Sequence, residues 1–357
     1  MEKDKYLMVS EGAQALARVS QHMGLVDKVL SAREEAFLMP KTVVLRYETE
    51  DGWSYDYPII GFEELIVDVD ITELNLSNKR IIHLPVEIGK LTNLKELDLG
   101  RYNYFESLPP EIGKLTNLTS LRICSSLKSL PPEIGQLTNL TSLYICSSRL
   151  KSLPPEIGQL TNLTSLIIIG GQFTKLPMEI GHLTKLTTLY ISCKELTSLP
   201  SEIGQLTNLT SLNINGEKIA NLPFEIGNLT DLKTLEISET QLTMLPFEIG
   251  KLTKLRELSL NGNKLKELPI EIGKLINLNH LHLSFNGLIR LPAEIGQLAF
   301  LTQLYLRHNQ LTTLPNEFKL LKYLQWLDIS GNPLVKSISE IGKIQSLIPF
   351  CQICKTL

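Results

Sequence analysis

The chain has 357 residues, a length that suits one large domain or two ordinary ones. Aromatic residues make up only 6% of it, so its core must be built from aliphatic side chains. A formal net charge of −3 disfavours nucleic acid as the main partner, because binding to phosphates requires a basic surface. The apolar stretch Tyr6-Leu-Met-Val9 is too short for the core of a signal peptide, and no run approaches the roughly 18 apolar residues of a membrane span, so we expect neither. Five cysteines without framework spacing indicate reduced thiols and a cytoplasmic location.

The first 70 residues predict a small α+β unit. Apolar residues spaced by three and four indicate an amphipathic helix over about residues 11–35, namely Leu16, Val19, Met23, Val26 and Leu30. Two alternating stretches follow, with a turn predicted between them at Glu50-Asp-Gly52. They indicate a β-hairpin with an aromatic face, formed by Val43, Leu45, Tyr47, Trp53, Tyr55 and Tyr57. We expect residues 1–70 to cap the rest of the chain. The alternative is a small module with its own activity or partner.

An internal repeat occupies residues 71–346. The dipeptide Leu-Pro recurs at spacings of 24, 22 and then 23 residues eight times in succession, beginning at Leu84, Leu108, Leu130, Leu153, Leu176, Leu199, Leu222, Leu245, Leu268, Leu291 and Leu314. Aligned on this dipeptide, the units follow L-x-x-L-x-L-x-x-(N/S)-x-L-x-x-L-P-x-E-I-G-x-L-T-N. Twelve such repeats fit between Ile71 and residue 346. A fixed period of this length is the signature of a solenoid.

Each repeat combines a strand pattern with a turn pattern. In L-x-x-L-x-L the last two leucines lie two positions apart, so both point to one face of a strand. Proline suits the first position of a helical turn, and glutamate two positions later meets the positive end of a short helix dipole. We interpret this glutamate column as structural rather than as a functional acidic stripe. Because stacked repeats bury what one repeat cannot, the pattern predicts an α/β solenoid with a parallel β-sheet and short helical or 3-10 turns opposite it.

The repeat motif resembles the Ras-group leucine-rich repeats, the LPxEIGxL type of Sur-8-like scaffolds and of many bacterial, archaeal and plant intracellular proteins. The resemblance covers residues 71–346. It implies a curved horseshoe whose parallel sheet is concave and whose turns lie on the convex side. It also implies a non-enzymatic protein-binding platform, with a small GTPase or a phosphatase among the partners such proteins take.

Two departures from the consensus predict local irregularity. The ninth position, where asparagine bonds to the loop backbone, holds asparagine in the last four repeats, at Asn263, Asn286, Asn309 and Asn332. In the middle repeats other residues replace it, so we expect the C-terminal third to be more regular. The second repeat has one extra residue near Arg101–Phe105, and we expect Tyr102 and Tyr104 to project from a bulged loop.

Two zones of the concave face are candidates for partner binding. One lies near the C-terminal end and is rich in the residue types that anchor interfaces: His280, His282, Phe285, Tyr305, Arg307, His308 and Trp326. The other lies in the middle of the array and is apolar and uncharged, with Tyr144, Ile167 and Tyr190 at its centre and Cys146, Ile169 and Cys193 beside them. The competing interpretation is that these residues merely occupy the face and bind no partner.

The sequence contains no motif of catalysis or cofactor binding, so we expect no enzyme activity, no cofactor and no metal. His280 and His282 point the same way, but no third ligand has suitable spacing. Cys351-Gln-Ile-Cys354 has no second pair, and Cys354-Lys-Thr-Leu357 fits a prenylation box only formally.

Residues 347–357 read as a tail or partial repeat, more apolar than a good cap. The C-terminal end is therefore expected to be partly exposed or paired with another chain. The leading functional hypothesis is a cytoplasmic protein-binding scaffold or adaptor, with signalling as the process in which we expect it to act. An active N-terminal module and a self-associating structural protein are the alternatives.

Overall fold

A computed structural model of the chain describes residues 42–54 and 57–356, and residues Val43–Leu357 form one compact unit. The helix predicted over residues 11–35 lies outside the described residues. The described part begins with a two-stranded sheet of β1 (Thr42–Ser54) and β2 (Tyr57–Asp68).

Strand β1 confirms the alternation predicted for Val43, Leu45 and Tyr47 but not the position of the turn, and the side chains of the predicted aromatic face, Trp53, Tyr55 and Tyr57, lie outside what the structure describes. Val43, Leu45 and Tyr47 are buried on one face of β1, and the Tyr47 hydroxyl donates to Glu63 at 3.0 Å. Glu50-Asp-Gly52 lies inside β1, so the turn predicted there is wrong. Pairing along two strands of 13 and 12 residues outweighs the local preference of Asp-Gly for a turn. On the other side of β1, the amide of Ile82 donates to the carbonyl of Glu48 at 2.8 Å, which joins the hairpin to the first repeat.

The repeats form a parallel sheet in which each strand pairs with the equivalent strand of the next repeat. Leu235 pairs with Leu258, and Leu258 pairs with Leu281, so equal positions stack in register. With the C-terminal strand there are thirteen strands in chain order among the described residues: β3 (Glu73–Asn75), β4 (Glu96–Leu99), β5 (Ser120–Cys124), β6 (Ser142–Cys146), β7 (Ser165–Ile169), β8 (Thr188–Ser192), β9 (Ser211–Asn215), β10 (Thr234–Ser238), β11 (Glu257–Ser259), β12 (His280–His282), β13 (Gln303–Tyr305), β14 (Trp326–Asp328) and β15 (Gln352–Cys354).

A short 3-10 helix returns the chain after each strand from β3 to β14. In the middle of the array Pro200 is the N-cap, with extended backbone, and its carbonyl accepts from the amide of Ile203 at 3.1 Å. The glutamate is thus the second residue of the turn rather than the third, and no side chain caps the turn. The turns span Val86–Lys90, Pro110–Lys114, Pro132–Gln136, Pro155–Gln159, Met178–His182, Ser201–Gln205, Phe224–Asn228, Phe247–Lys251, Ile270–Lys274, Ala293–Gln297, Asn316–Leu320 and Pro333–Lys336.

The solenoid interior is a continuous column of leucine and isoleucine side chains. The two strand leucines and the turn isoleucine of a central repeat, Leu258, Leu260 and Ile272, are completely buried. The glycine that follows each turn isoleucine sits against the next repeat. An added Cβ at Gly204 would lie 2.7 Å from both the Cβ and the carbonyl oxygen of Glu225. A glycine at this position therefore permits close stacking of successive turns.

An asparagine ladder runs along the loops that follow the strands. Asn286 donates to the carbonyls of Leu260 and Leu283 at 2.9 and 3.1 Å, and its Oδ1 accepts from the amide of Leu265 at 3.1 Å. Asn309 and Asn332 repeat this pattern. Each amide thus satisfies backbone groups of two repeats.

The ladder also has a member that the consensus spacing missed. Asn103, one position late because of the extra residue, accepts from the amide of Ile81 at 3.0 Å and donates to the carbonyl of Leu76 at 3.0 Å. The insertion is absorbed by Arg101 and Tyr102, which adopt left-handed backbone conformations with φ of 34° and 57°. Tyr102 and Tyr104 are exposed, as predicted.

The middle repeats replace the asparagine with weaker loop contacts. The Ser147 hydroxyl donates to the carbonyl of Leu127 at 2.7 Å, and the Cys193 thiol donates to the carbonyl of Phe173 at 3.2 Å. Both come from the position before that of the asparagine, and the Ser147 hydroxyl also accepts from the amide of Arg149 at 3.2 Å. These repeats have five-residue strands, whereas the strands from β11 to β14 have three residues. The middle repeats thus lack the asparagine bonds of the loops but have more residues in regular strand pairing.

The C-terminal segment adds a strand to the array. Helix α1 (Ile338–Leu347) begins at Ser337, whose hydroxyl accepts from the amide of Glu340 at 3.3 Å. Strand β15 then pairs with β14, and Ile353 lies opposite Leu327. Phe350, in contrast, is 97% exposed.

The leucine column, rather than the glutamate column, should set stability. We expect Leu258→Ala to cost about 2–5 kcal/mol in the free energy of unfolding, because it opens a cavity in a fully buried column. Glu248→Gln should cost less than about 1 kcal/mol, because only a charge at the end of a short helix is lost. Urea denaturation of both variants measures the difference. A larger loss for the glutamate variant would contradict the structural role assigned to the leucines.

Two glycines provide a matched test of turn stacking. Gly204→Ala should destabilise the fold by about 1–3 kcal/mol, since its Cβ would collide with the backbone of the next repeat. Gly342→Ala, in helix α1, meets nothing within 4 Å and should be neutral or stabilise by up to about 1 kcal/mol. Thermal denaturation distinguishes these results, and equal effects would refute the steric explanation.

Hydrogen exchange should follow the asparagine ladder. The amides of Leu265, Leu288 and Leu311 donate to asparagine side chains at 3.0–3.1 Å and should exchange slowly. The equivalent amides of Ile219 and Leu242 have longer contacts of 3.4 and 3.2 Å within their own loops and should exchange faster. Exchange followed by mass spectrometry or NMR gives the rates. Equal protection of both groups of amides would show that the asparagine ladder does not stabilise these loops.

Candidate functional site

Alternate residues of each strand form the open face of the sheet, the concave face of the solenoid. In β5 and β6 the first, third and fifth residues are half-exposed, whereas the two between them are buried. The third and fifth positions of the repeat, and the residue two positions further on, therefore line this face. Its backbone is fixed from below by buried leucines, so substitutions here alter the surface without altering the core.

The C-terminal zone comprises His280, His282, Phe285, Tyr305, Arg307, His308 and Trp326, and the structure brings most of these side chains into contact. His282 and Tyr305 come from adjacent strands and stack with ring centroids 4.6 Å apart and planes 9° apart. His280 packs edge-on against His282 at 6.5 Å. The Tyr305 hydroxyl donates to Gln303 Oε1 at 3.0 Å. These rings form one half-buried aromatic surface.

A second group of the C-terminal zone lies at the loop edge of the face. The rings of Phe285 and His308 are 4.8 Å apart, and the Arg307 guanidinium lies 5.9 Å from the centre of the Phe285 ring. Phe285 and His308 both adopt left-handed backbone conformations, with φ of 57° and 52°. This conformation turns both rings towards each other across neighbouring repeats. All three side chains remain exposed.

Burial affects the ring nitrogens of two residues of the C-terminal zone, His282 and Trp326. Burial lowers the pKa of His282, and its neighbour His280 adds to the shift, while Glu257 opposes it. His282 is therefore neutral at neutral pH and stacks on Tyr305 as an uncharged ring. The Trp326 indole nitrogen is buried without a hydrogen-bond partner. Its strand register places Trp326 between Gln303 and Gln352.

The middle zone, centred on Tyr144, Ile167 and Tyr190, is a separate patch. These three residues occupy the same register position in β6, β7 and β8, and all are half-exposed. On one flank the Arg122 guanidinium lies 4.8 Å from the centre of the Tyr144 ring. Cys193, expected on this patch, is instead 1% exposed and turned into the loop interior.

Polar residues separate the two zones. In β9 and β10 the third and fifth positions of the repeat hold hydroxyls, an amide and a carboxylate. Asn213 donates to Glu236. In β11, Ser259 contacts Ser238 at 3.2 Å. The concave face thus presents two apolar patches with a polar belt between them.

The sequence reading missed an apolar stripe outside the sheet. Phe224, Phe247 and Ile270 follow the Leu-Pro dipeptide in three successive repeats and are 64%, 64% and 59% exposed. The sequence contained a signal for this stripe, because the position after Leu-Pro varies and other repeats fill it with valine, proline, methionine, serine, alanine or asparagine.

A second missed feature lies where the chain enters the strands. Phe300 and Tyr323 stack with centroids 6.1 Å apart. Phe300 borders a shallow depression of about 330 Å³ that is lined by Lys233, Lys254, Arg256, Asn277 and Asn279. Lys254 pairs with Asp231 at 2.6 Å.

No group of three or more histidine, cysteine or carboxylate side chains that could hold a metal ion occurs within residues 42–54 and 57–356. His280 and His282 thus have no third ligand in that part of the chain. None of the helices described there is long and apolar enough to cross a membrane.

Comparisons with known proteins agree with this architecture. The family model described as leucine-rich repeat region matches residues 70–172, 168–267 and 211–283, and a second leucine-rich repeat model matches residues 276–334. No curated protein sequence gives a significant match.

Among solved structures, the leucine-rich repeat protein LIC12759 of Leptospira interrogans is 38% identical. The match covers 80% of this chain and 84% of that one, with a TM-score of 0.55. An internalin of Listeria monocytogenes, InlF, is 21% identical over 81% of this chain and 89% of its own, with a TM-score of 0.57. The Arabidopsis receptor kinase HAESA, solved with the peptide hormone IDA and the co-receptor SERK1, is 26% identical over 72% and 44%, with a TM-score of 0.59. The chain belongs to the leucine-rich repeat family.

Proposed function

We propose that this protein is a non-enzymatic scaffold or adaptor that binds a protein partner on its concave face. The observation that carries the proposal is the C-terminal zone, where His282 stacks on Tyr305 and Arg307 lies over Phe285. Aromatic rings and arginine on a rigid, open surface are the residue types that dominate binding energy at protein interfaces. The middle zone of Tyr144, Ile167 and Tyr190 is the second contact area.

The behaviour of the family supports this proposal. Leucine-rich repeat proteins generally act as protein-interaction scaffolds, and the HAESA structure contains a peptide hormone and a co-receptor. The open sheet here offers the same kind of extended surface. The LPxEIGxL motif adds a narrower proposal, a Sur-8-like scaffold in the cytoplasm with a role in signalling. Its partner would then be a small GTPase or a phosphatase, and it would need no cofactor.

We further propose a division of labour along the chain. Residues 71–346 would be the binding array, residues 347–357 its C-terminal extension, and residues 1–70 a cap. A module with its own activity within residues 1–70 is the alternative for that segment. Self-association through the C-terminal end is a second candidate function, favoured by the 97% exposure of Phe350 next to an edge strand. Light scattering over a concentration range, with Phe350→Ser as control, tests it.

Truncating the centre of the C-terminal zone should weaken partner binding. Tyr305→Ala with Trp326→Ala should cost about 2 kcal/mol of binding free energy, or roughly 30-fold in Kd, which is the usual scale for interface anchors. The partner is first isolated by affinity capture from native lysate, and its affinity is then measured by calorimetry. Circular dichroism verifies that the variant is folded.

Two controls make this test specific. Phe300→Ala with Tyr323→Ala removes a second stacked aromatic pair outside the concave face, and Lys274→Ala removes an exposed charge from a 3-10 turn. Both should leave Kd unchanged. Full affinity of a folded Tyr305/Trp326 variant would refute the C-terminal zone, and the same measurement on Ile167→Ser would then test the middle zone.

A further inference from the structure

Two cysteines lie side by side on the concave face. Cys124 ends β5 and Cys146 ends β6, and the two are register partners in adjacent parallel strands. Both are half-exposed. The amide of Ser125 donates to the carbonyl of Cys146 at 3.1 Å, which holds the strands together beside the pair. Two residues at one position of neighbouring repeats must stack in this way, so the juxtaposition follows from the solenoid itself.

The spacing of these cysteines suits a disulfide. Adjacent strands lie about 4.8 Å apart, and disulfides join residues whose Cα atoms are about 4.4–6.8 Å apart. The side chains also point to the same face, because both cysteines fall on the half-exposed positions of their strands. The spacing of neighbouring strands and the shared face thus meet the two geometric requirements for a disulfide.

The other cysteines lack this arrangement. Cys193 is buried and donates to the carbonyl of Phe173. Cys351 is buried ahead of β15, whereas Cys354, at the far end of that strand, is half-exposed and contacts the Ser330 hydroxyl at 3.3 Å. Three positions along extended chain span about 10 Å, beyond the reach of a disulfide. The C-x-x-C cysteines are therefore too far apart to pair, whereas Cys124 and Cys146, 22 residues apart in the sequence, are register partners.

We propose that Cys124 and Cys146 form an oxidation site on which a peroxide converts the two thiols into an inter-repeat disulfide. The Cys124 sulfur, after losing its proton, attacks a peroxide oxygen; the S–O bond forms as the O–O bond breaks, and the leaving oxygen takes up a proton. Cys146 then attacks the resulting sulfenic acid, forms the S–S bond and releases water. The two thiols lose two electrons and two protons in total, and the peroxide is reduced to an alcohol, or to water, plus a further water.

The surroundings fit this order of attack. Arg122 lies two positions before Cys124 on the same face of β5, and its interaction with Cys124 is the main reason that the pKa of Arg122 is raised. Burial, with Cys124 as the next cause, raises the pKa of the Cys146 thiol. Cys146 thus stays protonated at neutral pH and reacts second. The disulfide would lie beside Tyr144 and change the middle zone whatever partner the protein binds.

Thiol mapping of the full chain tests the proposal. The protein is treated with hydrogen peroxide at low concentration, remaining thiols are alkylated under denaturing conditions, and peptides are analysed by mass spectrometry. A peptide joining Cys124 to Cys146, lost on reduction with dithiothreitol, is the expected product. Cys124→Ser and Cys146→Ser should each abolish it. Cys354→Ser, which removes the other half-exposed thiol, should leave its yield unchanged.

Two results would overturn the proposal. One is oxidation of Cys124 or Cys146 to sulfinic acid without coupling, at peroxide doses that consume either thiol. The other is a cross-link that joins different molecules, seen as a dimer in non-reducing electrophoresis. Circular dichroism of both serine variants shows whether a lost cross-link reflects lost chemistry rather than lost structure.

Discussion

The whole structure depends on one constraint: a single repeat cannot bury its own leucines. Leu258 and Leu260 are completely buried only because strands of the neighbouring repeats lie on both sides of them. The cost of leaving them exposed, about 1.5–3 kcal/mol for each large aliphatic side chain, is what drives the turns to stack. Stacking requires that successive turns approach closely, and a residue without a Cβ at Gly204 and its equivalents allows it. The leucines at the C-terminal end of the array must be buried too, and β15, the thirteenth strand, pairs with β14 and covers it.

This constraint explains which parts of the fold could be predicted from the sequence. The period of 23 residues encodes strand, turn and stacking together, because each repeat must present the same leucines to the same neighbour. Features that break the period were harder to foresee. Asn103 escaped the consensus because an inserted residue displaced it by one position, although it forms the same bonds as Asn286. The hairpin turn was misplaced because pairing along the whole of β1 outweighed the local preference of Asp-Gly.

The candidate site was predictable in composition but not in contacts. Alternation placed His282 and Tyr305 on the concave face, and repeat register placed them on adjacent strands. Whether two such rings stack or avoid each other depends on rotamers and on neighbours, and sequence carries neither. For Phe285 and His308 the decisive feature is a left-handed backbone at the loop edge, which a pattern of apolar spacing cannot reveal. Cys193 was predicted on the concave face, but it lies one residue past strand β8. Its side chain turns inward, where the thiol donates to the carbonyl of Phe173.

The separation of core from surface is what makes this fold suited to recognition. The buried leucines and the loop asparagines fix the backbone, so that residues at the third and fifth positions are free to differ from repeat to repeat at little cost in stability. Strands β11 to β14, which are followed by ladder asparagines, stop after three residues, whereas β5 to β10, which are not, extend to five. The longer strands carry one more outward position into the sheet, and Cys124, Cys146 and Ile169 occupy it in the middle zone. The regular surface is therefore wider in β5 to β10, where the apolar patch and the neighbouring thiols lie. From β5 to β14 the loop chemistry and the width of the face thus change together.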